Sequence, residues 1–317
     1  MAAKKTEIVT LAQLLPFVEE WLDQNFTVHR VWQAKDRAAA IAAVRDTVEG
    51  IATIGHTKVD GALLDSLPKA KIVSLMSVGY DAIDVAACKA RGVAVTNTPD
   101  VLNNDVADLA LALLIATARK IVAGDTYVRA GDWAIKGHMA LATAVYGKTV
   151  GILGLGRIGK EIAKRAEAFN LKIVYGGRSK VAGVPYTYYP DVIDLAKNCD
   201  FLVVMVPGGA ATRHMINAKV LEALGPRGYL INIARGSVVD EKALIVALTN
   251  KMIAGAGLDV FEDEPNVPKE LFAFDTVVLQ PHVGSATNET RAAMGQLMLN
   301  NLLAHFAGKP LLTPISA

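Results

Sequence analysis

The sequence predicts an α/β protein built from two parallel-sheet domains. Three observations carry that expectation. Short β-branched runs alternate with longer amphipathic stretches along the chain, the pattern of βαβ units. Eleven such runs occur, too many for one ordinary open sheet of about five or six strands. A glycine-rich turn, Gly154-Leu155-Gly156-Arg157-Ile158-Gly159, joins an aliphatic run to a helical pattern near the middle of the chain. With 317 residues, the chain is long enough to bury a full core without covalent staples.

In the first part, strands are expected at 7–10, 27–31, 51–55, 72–75 and 93–96, each a short aliphatic or β-branched run. Helical patterns lie at 59–67 and 84–91, the second ending at Gly92, where helices commonly stop. Asn97-Thr98-Pro99 then marks the first boundary, because proline restricts the residue before it. A long helix begins near Asn104, with Val106, Leu109, Ala110, Leu113 and Leu114 on one face. Asp105 and Asp108 occupy its first turns, where carboxylates complement the helix dipole. Six further strands are expected at 149–153, 172–175, 201–206, 229–233, 253–258 and 277–279. The last helix, 289–306, places Met294, Leu297, Met298, Asn301 and Leu302 at helical spacing and is expected to return to the first domain.

Composition excludes several classes. Hydrophobic residues make up 52% and charged residues 20%, which is the composition of a packed core and not of a disordered chain. Lys and Arg number 33 against 31 Asp and Glu, a formal charge of +2 spread without blocks, so neither nucleic acid nor a membrane surface is an expected partner. The two cysteines, Cys88 and Cys199, have no C-x-x-C spacing. No disulfide framework and no metal are therefore expected, and a reducing, cytoplasmic location is. Lys4 and Lys5 are followed by Thr6-Glu7 and not by an apolar run, so no targeting segment is expected. The stretch 106–118 is too short to span a bilayer.

The glycine turn has a mechanism. Gly154 permits the tight turn, Gly156 lets the backbone approach a pyrophosphate, and Gly159 lets helix and strand pack closely. The helix that follows, with Ile158, Ile162, Ala166 and Phe169 on one face, offers its N-terminal N–H groups to the anion. At the end of the second strand, NAD sites usually place an acid for the ribose 2′-hydroxyl. Here the chain reads Tyr175-Gly176-Gly177-Arg178-Ser179-Lys180, with no Asp or Glu from Ala168 to Pro190. Arg178 can pair with a 2′-phosphate bidentately and Ser179 can add a hydroxyl, so NADP(H) is the expected cofactor.

Three polar residues stand at strand ends or in turns late in the chain. Arg235, in Ile231-Asn232-Ile233-Ala234-Arg235-Gly236, directly follows a buried-looking strand at its carboxyl end, facing the crevice where α/β sheets bind ligands; a rim ion pair is equally common for such an arginine. Glu264, in Asp259-Val260-Phe261-Glu262-Asp263-Glu264-Pro265, reads on its own as part of an acidic surface loop. His282 lies between a strand and the Gly284-Ser285 turn. Reduction of a ketone needs a proton donor and a clamp for the substrate's carboxylate. Histidine suits the first near neutral pH, a carboxylate beside it orients the ring, and arginine suits the second.

Along essentially its whole length the sequence resembles the D-isomer-specific 2-hydroxyacid dehydrogenases, most of all their glyoxylate/hydroxypyruvate and hydroxyphenylpyruvate reductases. The resemblance rests on Met76-Ser77-Val78-Gly79-Tyr80-Asp81, Asn97-Thr98-Pro99-Asp100-Val101-Leu102, Leu155-Gly156-Arg157-Ile158-Gly159, Ile231-Asn232-Ile233-Ala234-Arg235-Gly236, Gly257-Leu258-Asp259-Val260-Phe261 and Pro281-His282-Val283-Gly284-Ser285-Ala286-Thr287. It implies a Rossmann cofactor domain, 99–287, inserted into a flavodoxin-like substrate domain, 1–98 and 288–317. It places the catalytic arginine, glutamate and histidine on Arg235, Glu264 and His282. It puts the N–H groups of Val78 and Gly79 on the substrate carboxylate, Ser285 in the same pocket, and Asp259 near the nicotinamide amide. Pro207, Thr212, Ile233, Gly177 and Gly284 join the glycine turn, Arg157, Ile158, Arg178 and Ser179 as cofactor contacts. A homodimer through the cofactor domains is implied, with Trp133 reaching the partner's active site.

The function this implies is NADPH-dependent reduction of a small 2-oxo acid, of the glyoxylate or hydroxypyruvate type, to the D-2-hydroxy acid. Hydroxyphenylpyruvate and 2-ketogluconate reduction are alternatives within the family. The rival readings are a formate dehydrogenase of the same fold, which Glu264 argues against, and a dinucleotide-sensing corepressor-like protein, which turnover on glyoxylate would exclude.

Overall fold

Five parallel strands in the order β2-β1-β3-β4-β5 form the first sheet: β1 Glu7–Thr10, β2 Thr27–Arg30, β3 Val48–Thr53, β4 Ile72–Leu75 and β5 Ala94–Thr96. Helices α1 Pro16–Asn25, α2 Arg37–Ala43, α3 Gly61–Ser66 and α4 Val85–Ala90 connect them, the last three begun by Asp36, Asp60 and Asp84, whose side chains accept N–H bonds as caps. This is the doubly wound order of flavodoxin-like sheets. The structure, a computed structural model, describes residues 5–315, so the reading of Lys4 lies outside the described residues.

The chain forms two compact units, Met1–Leu102 with Thr287–Ala317, and Asn103–Ala286. Its departure from the first unit after Leu102 comes a few residues beyond Pro99. The last helix, α12 Asn288–Phe306, belongs to the first unit and buries Met294, Met298, Asn301 and Leu302. Ser74 on β4 donates to the Met298 carbonyl (3.1 Å), and Thr96 on β5 donates to Ser74 (2.9 Å), tying helix to sheet through buried hydroxyls.

The second unit opens with α5 Asn103–Ala118, α6 Ile121–Arg129 and α7 Asp132–Lys136. A parallel sheet of order β12-β11-β10-β9-β6-β7-β8 follows: β6 Thr149–Leu153, β7 Lys172–Gly176, β8 Thr187–Tyr189, β9 Phe201–Val204, β10 Tyr229–Asn232, β11 Gly255–Leu258 and β12 Val277–Leu279. Helices α8 Arg157–Ala168, α9 Val192–Lys197, α10 Ala218–Leu224 and α11 Glu241–Thr249 complete it. The reversal of strand order at β6 is the Rossmann switch point. Most central strands of this sheet are buried along their whole length, which is why they read as continuous apolar runs.

Some elements depart from expectation. The edge strand β8 is a twelfth strand, absent from the sequence reading. On α5 the buried face takes in Ala107 and Leu111 beside Val106, Ala110, Leu113 and Leu114, while Leu109 is half-buried; the exposed Asp108 accepts a bond from Arg165 on α8. On α8 the buried face is Gly159, Ile162, Ala163 and Ala166, while Phe169 is the C-cap and 46% exposed. Both cysteines are free, and burial pushes the Cys199 thiol up to about 12, too high for a nucleophile. Among the described residues, no helix is long and apolar enough to cross a membrane.

Candidate active site

Three neighbouring strands of the second sheet, β10, β11 and β12, end in the loops that carry Arg235, Glu264 and His282. Each loop is shaped by a buried polar side chain. Asn232, the last residue of β10, is 1% exposed; its Oδ1 accepts from the Ala234 N–H (3.1 Å) and its Nδ2 donates to the Arg235 carbonyl (3.1 Å). That closes the turn on which Arg235 stands. The guanidinium leans on its own chain, donating to the Ala234 carbonyl at 2.6 Å.

Asp259, just past β11, holds the histidine loop. Its carbonyl accepts from the His282 N–H (2.8 Å), and its two carboxylate oxygens accept from Val283 (2.7 Å) and Gly284 (2.9 Å). The residue is 2% exposed, and burial pushes its carboxyl up against the opposing pull of those two donors. His282 itself is left-handed at φ +54°, an uncommon conformation for histidine that these bonds impose. The resemblance implies that Asp259 lies near a nicotinamide amide; in this structure both its oxygens are already anchors for the loop.

Glu264 meets His282. Its Oε2 lies 2.7 Å from Nδ1, while its Oε1 accepts from the Phe261 N–H (3.0 Å), so the carboxylate is fixed from its own loop. The neighbouring acid Glu262 faces elsewhere: its Oε1 lies 2.7 Å from Arg213 and 2.7 Å from His214. The side chains of His282 and Glu264 are about one-third exposed, at 33% and 30%, and so open to a ligand. A carboxylate against Nδ1 requires a hydrogen on that nitrogen, and the protonated ring then carries its other hydrogen on Nε2.

At the glycine turn the three glycines differ. A Cβ on Gly154 would sit 2.4 Å from the Met205 carbonyl oxygen, and one on Gly159 would sit 2.2 Å from the Gly154 oxygen, so packing within the protein demands both. A Cβ on Gly156 would meet nothing within 4 Å. Its small size answers to no neighbour in the protein, as expected where a phosphate approaches the backbone. Gly156 is also the N-cap of α8 and no side chain caps that end. The residues therefore fit a dinucleotide.

The Arg178 loop is held by two tyrosines. Tyr188 on β8 donates to the Gly177 carbonyl (2.8 Å), and Tyr175 on β7 accepts from the Val181 N–H (2.9 Å). Arg178 and Ser179 are exposed, and Arg178 makes no hydrogen bond or ion pair with another described residue. Thr212 donates to the Pro207 carbonyl (2.7 Å), closing the loop after β9. Leu155 and Ile233, each 5% exposed, are packed in the core, which confines any cofactor contact to a sliver of surface. Arg157 is exposed, and Ile158 and Ser285 are half-buried. Trp133 on α7 is 60% exposed. In the first unit, the N–H groups of Val78 and Gly79 donate to no other described residue. Among the described residues, no group of three or more His, Cys, Asp or Glu side chains is placed to hold a metal ion.

Residues 111–284 match the NAD-binding domain of the D-isomer-specific 2-hydroxyacid dehydrogenases. Over 97% of its length the chain is 48% identical to hydroxyphenylpyruvate reductase of Plectranthus scutellarioides, covering 98% of that protein. The chain belongs to the D-isomer-specific 2-hydroxyacid dehydrogenase family. It is equally similar to glyoxylate/hydroxypyruvate reductase A of Arabidopsis thaliana, at 48% identity over 97% of this chain and 98% of that one. The crystal structure of an NADPH-dependent glyoxylate/hydroxypyruvate reductase from Sinorhizobium meliloti, in complex with NADP and malonate, superposes with a TM-score of 0.91 at 44% identity, covering 99% of this chain and 97% of that one. As a member of this dehydrogenase family, the chain shares the two-sheet α/β fold with these relatives. Sequence pattern alone does not mark the roles of Asn232, Tyr175 and Tyr188. A polar residue closing an otherwise apolar strand was the available signal for Asn232; none marked the tyrosines.

Proposed function

We propose that this dehydrogenase reduces a small 2-oxo acid to the D-2-hydroxy acid with NADPH. The observation that carries the reading is the 2.7 Å contact between His282 Nδ1 and Glu264, beside a strand that delivers Arg235. When bound, the reduced nicotinamide supplies a hydride to the keto carbon. His282 holds a proton on Nε2 and transfers it to the keto oxygen, which becomes the hydroxyl. Glu264, 2.7 Å from Nδ1, keeps the ring oriented. Arg235 holds the carboxylate and polarises the carbonyl as charge builds on oxygen. Val78 and Gly79, by their match to the family's motif, are N–H donors for substrate, and Ser285 is a substrate contact by the same match.

Gly156 and the free end of α8 hold the pyrophosphate, with Leu155, Arg157 and Ile158 around it. Arg178 and Ser179 take the 2′-phosphate, at the end of a loop with no acid to repel it. Pro207, Thr212, Ile233, Asp259 and Gly284 complete the cofactor's surroundings. A rate panel tests the whole reading: NADPH and NADH against glyoxylate, hydroxypyruvate, hydroxyphenylpyruvate and 2-ketogluconate. Absence of turnover on all four would overturn it in favour of a dinucleotide sensor. Arg178→Asp is expected to weaken NADPH by about ten- to a hundredfold, through loss of charge-assisted hydrogen bonds, with NADH far less affected. An unchanged ratio of the two cofactors in steady-state kinetics would refute the 2′-phosphate role.

The protein acts as a homodimer joined through the cofactor domains. The support is apolar surface on and just after α6 and α7: Val128 is 57% exposed, Trp133 60%, Ile135 80% and Leu141 95%. Single apolar residues are normal on a surface, but a run of this size marks an interface. Trp133 then reaches the partner's active site. Sedimentation velocity is expected to give twice the 33.6 kDa chain mass, and a monomer at micromolar concentration would overturn this. The free thiols of Cys88 and Cys199 suit a cytoplasmic location, which cell fractionation checks.

A further inference from the structure

The two N–H groups assigned to the substrate carboxylate are aimed by a single neighbouring dipeptide. A trans peptide is planar, and its C=O and N–H point in opposite directions, so anchoring one carbonyl fixes where the next residue's N–H points. The Ser77 carbonyl, which shares a peptide with the Val78 N–H, accepts from the Thr98 N–H at 2.9 Å. The Val78 carbonyl, which shares a peptide with the Gly79 N–H, accepts from the Asn97 Nδ2 at 2.8 Å. Two successive carbonyls are thus anchored by Asn97-Thr98, and both N–H groups are turned away from that anchor, unbonded to any other described residue. The next carbonyl, of Gly79, accepts from Ser77 Oγ at 2.8 Å. It also lies over Gly55, where a Cβ would come within 1.9 Å of the Gly79 oxygen. Gly55 is therefore small to admit the loop.

Asn97 is in turn gripped at both ends of its backbone by Thr313. The Thr313 hydroxyl donates to the Asn97 carbonyl (2.6 Å), and the Thr313 carbonyl accepts from the Asn97 N–H (3.4 Å). Thr313 is held by Asn301 of α12, which is 0% exposed and has every hydrogen-bonding position filled. Its Nδ2 donates to the Leu297 carbonyl (2.9 Å) and Thr313 Oγ1 (2.9 Å), and its Oδ1 accepts from Leu312 (3.0 Å) and Thr313 (3.2 Å). A fully satisfied buried amide permits one arrangement of its neighbours.

We infer that Asn97 is a positioning residue for substrate recognition, and that the C-terminal segment at Thr313, locked by Asn301, sets the carboxylate clamp through it. This rests on the proposed role of Val78 and Gly79. The test uses the full-length protein, with glyoxylate kinetics and, independently of turnover, the affinity of the NADPH complex for oxalate, read by nicotinamide fluorescence.

Asn97→Ala is expected to raise the glyoxylate KM and the oxalate Kd by about tenfold, the loss of one orienting hydrogen bond, with kcat falling less and NADPH affinity unchanged. Thr313→Val shifts both in the same direction by less, and Thr313→Ser, which keeps the hydroxyl, restores them. The double variant is no worse than Asn97→Ala alone, because Thr313 acts through Asn97. Wild-type oxalate affinity and glyoxylate KM in folded Asn97→Ala, or strictly additive effects, would overturn the inference. Should Asn97→Ala fail to fold, Thr313→Val decides, and unchanged oxalate binding and KM there overturn it. A wild-type protein that binds oxalate yet reduces none of the 2-oxo acids would defeat the proposed function alone. One that reduces them with no dependence on Asn97 or Thr313 would defeat this inference alone.

Discussion

His282→Ala is expected to lower kcat by about a hundred- to ten-thousandfold, the usual contribution of a positioned general acid, while NADPH binds as before. Removing the imidazole leaves Glu264 where it is, because its Oε1 still accepts the Phe261 N–H. It leaves the phosphate turn untouched, since Gly154, Gly156 and α8 lie on the other side of the strand-order reversal. The loss therefore falls on the proton-transfer step, and nucleotide fluorescence titration separates the two. A variant that retains most of its turnover would show that the proton comes from another group. The same variant that loses NADPH binding would place His282 in cofactor recognition instead.

Arg235→Ala is expected to lower kcat/KM by about a hundred- to a thousandfold, as loss of a charged donor at a developing oxyanion does. The residue is asked to do two things, hold the carboxylate and polarise the carbonyl, so KM should rise and kcat should fall together. Arg235→Lys is expected to recover little, because a point charge does not reproduce the planar fork that holds two atoms at once. Steady-state kinetics on glyoxylate and hydroxypyruvate decide. A rise in KM with kcat unchanged would mean that Arg235 binds substrate and transition state alike, and the polarising role would fall.

Much of this is visible in the residues before any coordinates. Parallel strands covered on both faces read as apolar runs, so Phe201–Val204 stands out, as does Tyr229–Asn232 up to its closing asparagine. The edge strand Thr187–Tyr189 does not, because one side has no neighbour, its burial is partial, and its residues are polar or aromatic. The spacing of α12 places Asn301 on the inner face among apolar residues. Why an amide belongs there depends on Leu312 and Thr313, whose approach from a dozen residues away no periodicity records.

The candidate site divides in the same way. Local sequence determined the glycine turn, the missing acid before Arg178, and the strand-end settings of Arg235 and His282, because backbone conformation and strand ends are properties of neighbouring residues. Tertiary structure decided which acid of the 262–264 cluster meets the histidine. It also decided that Asp259 anchors the histidine loop, that two tyrosines hold the Arg178 loop, and that Asn97-Thr98 anchors the Val78–Gly79 peptides. Each of these depends on a hydrogen bond between residues that are not sequence neighbours, and such a bond forms only where folding brings a donor within about 3 Å of an acceptor in the right direction.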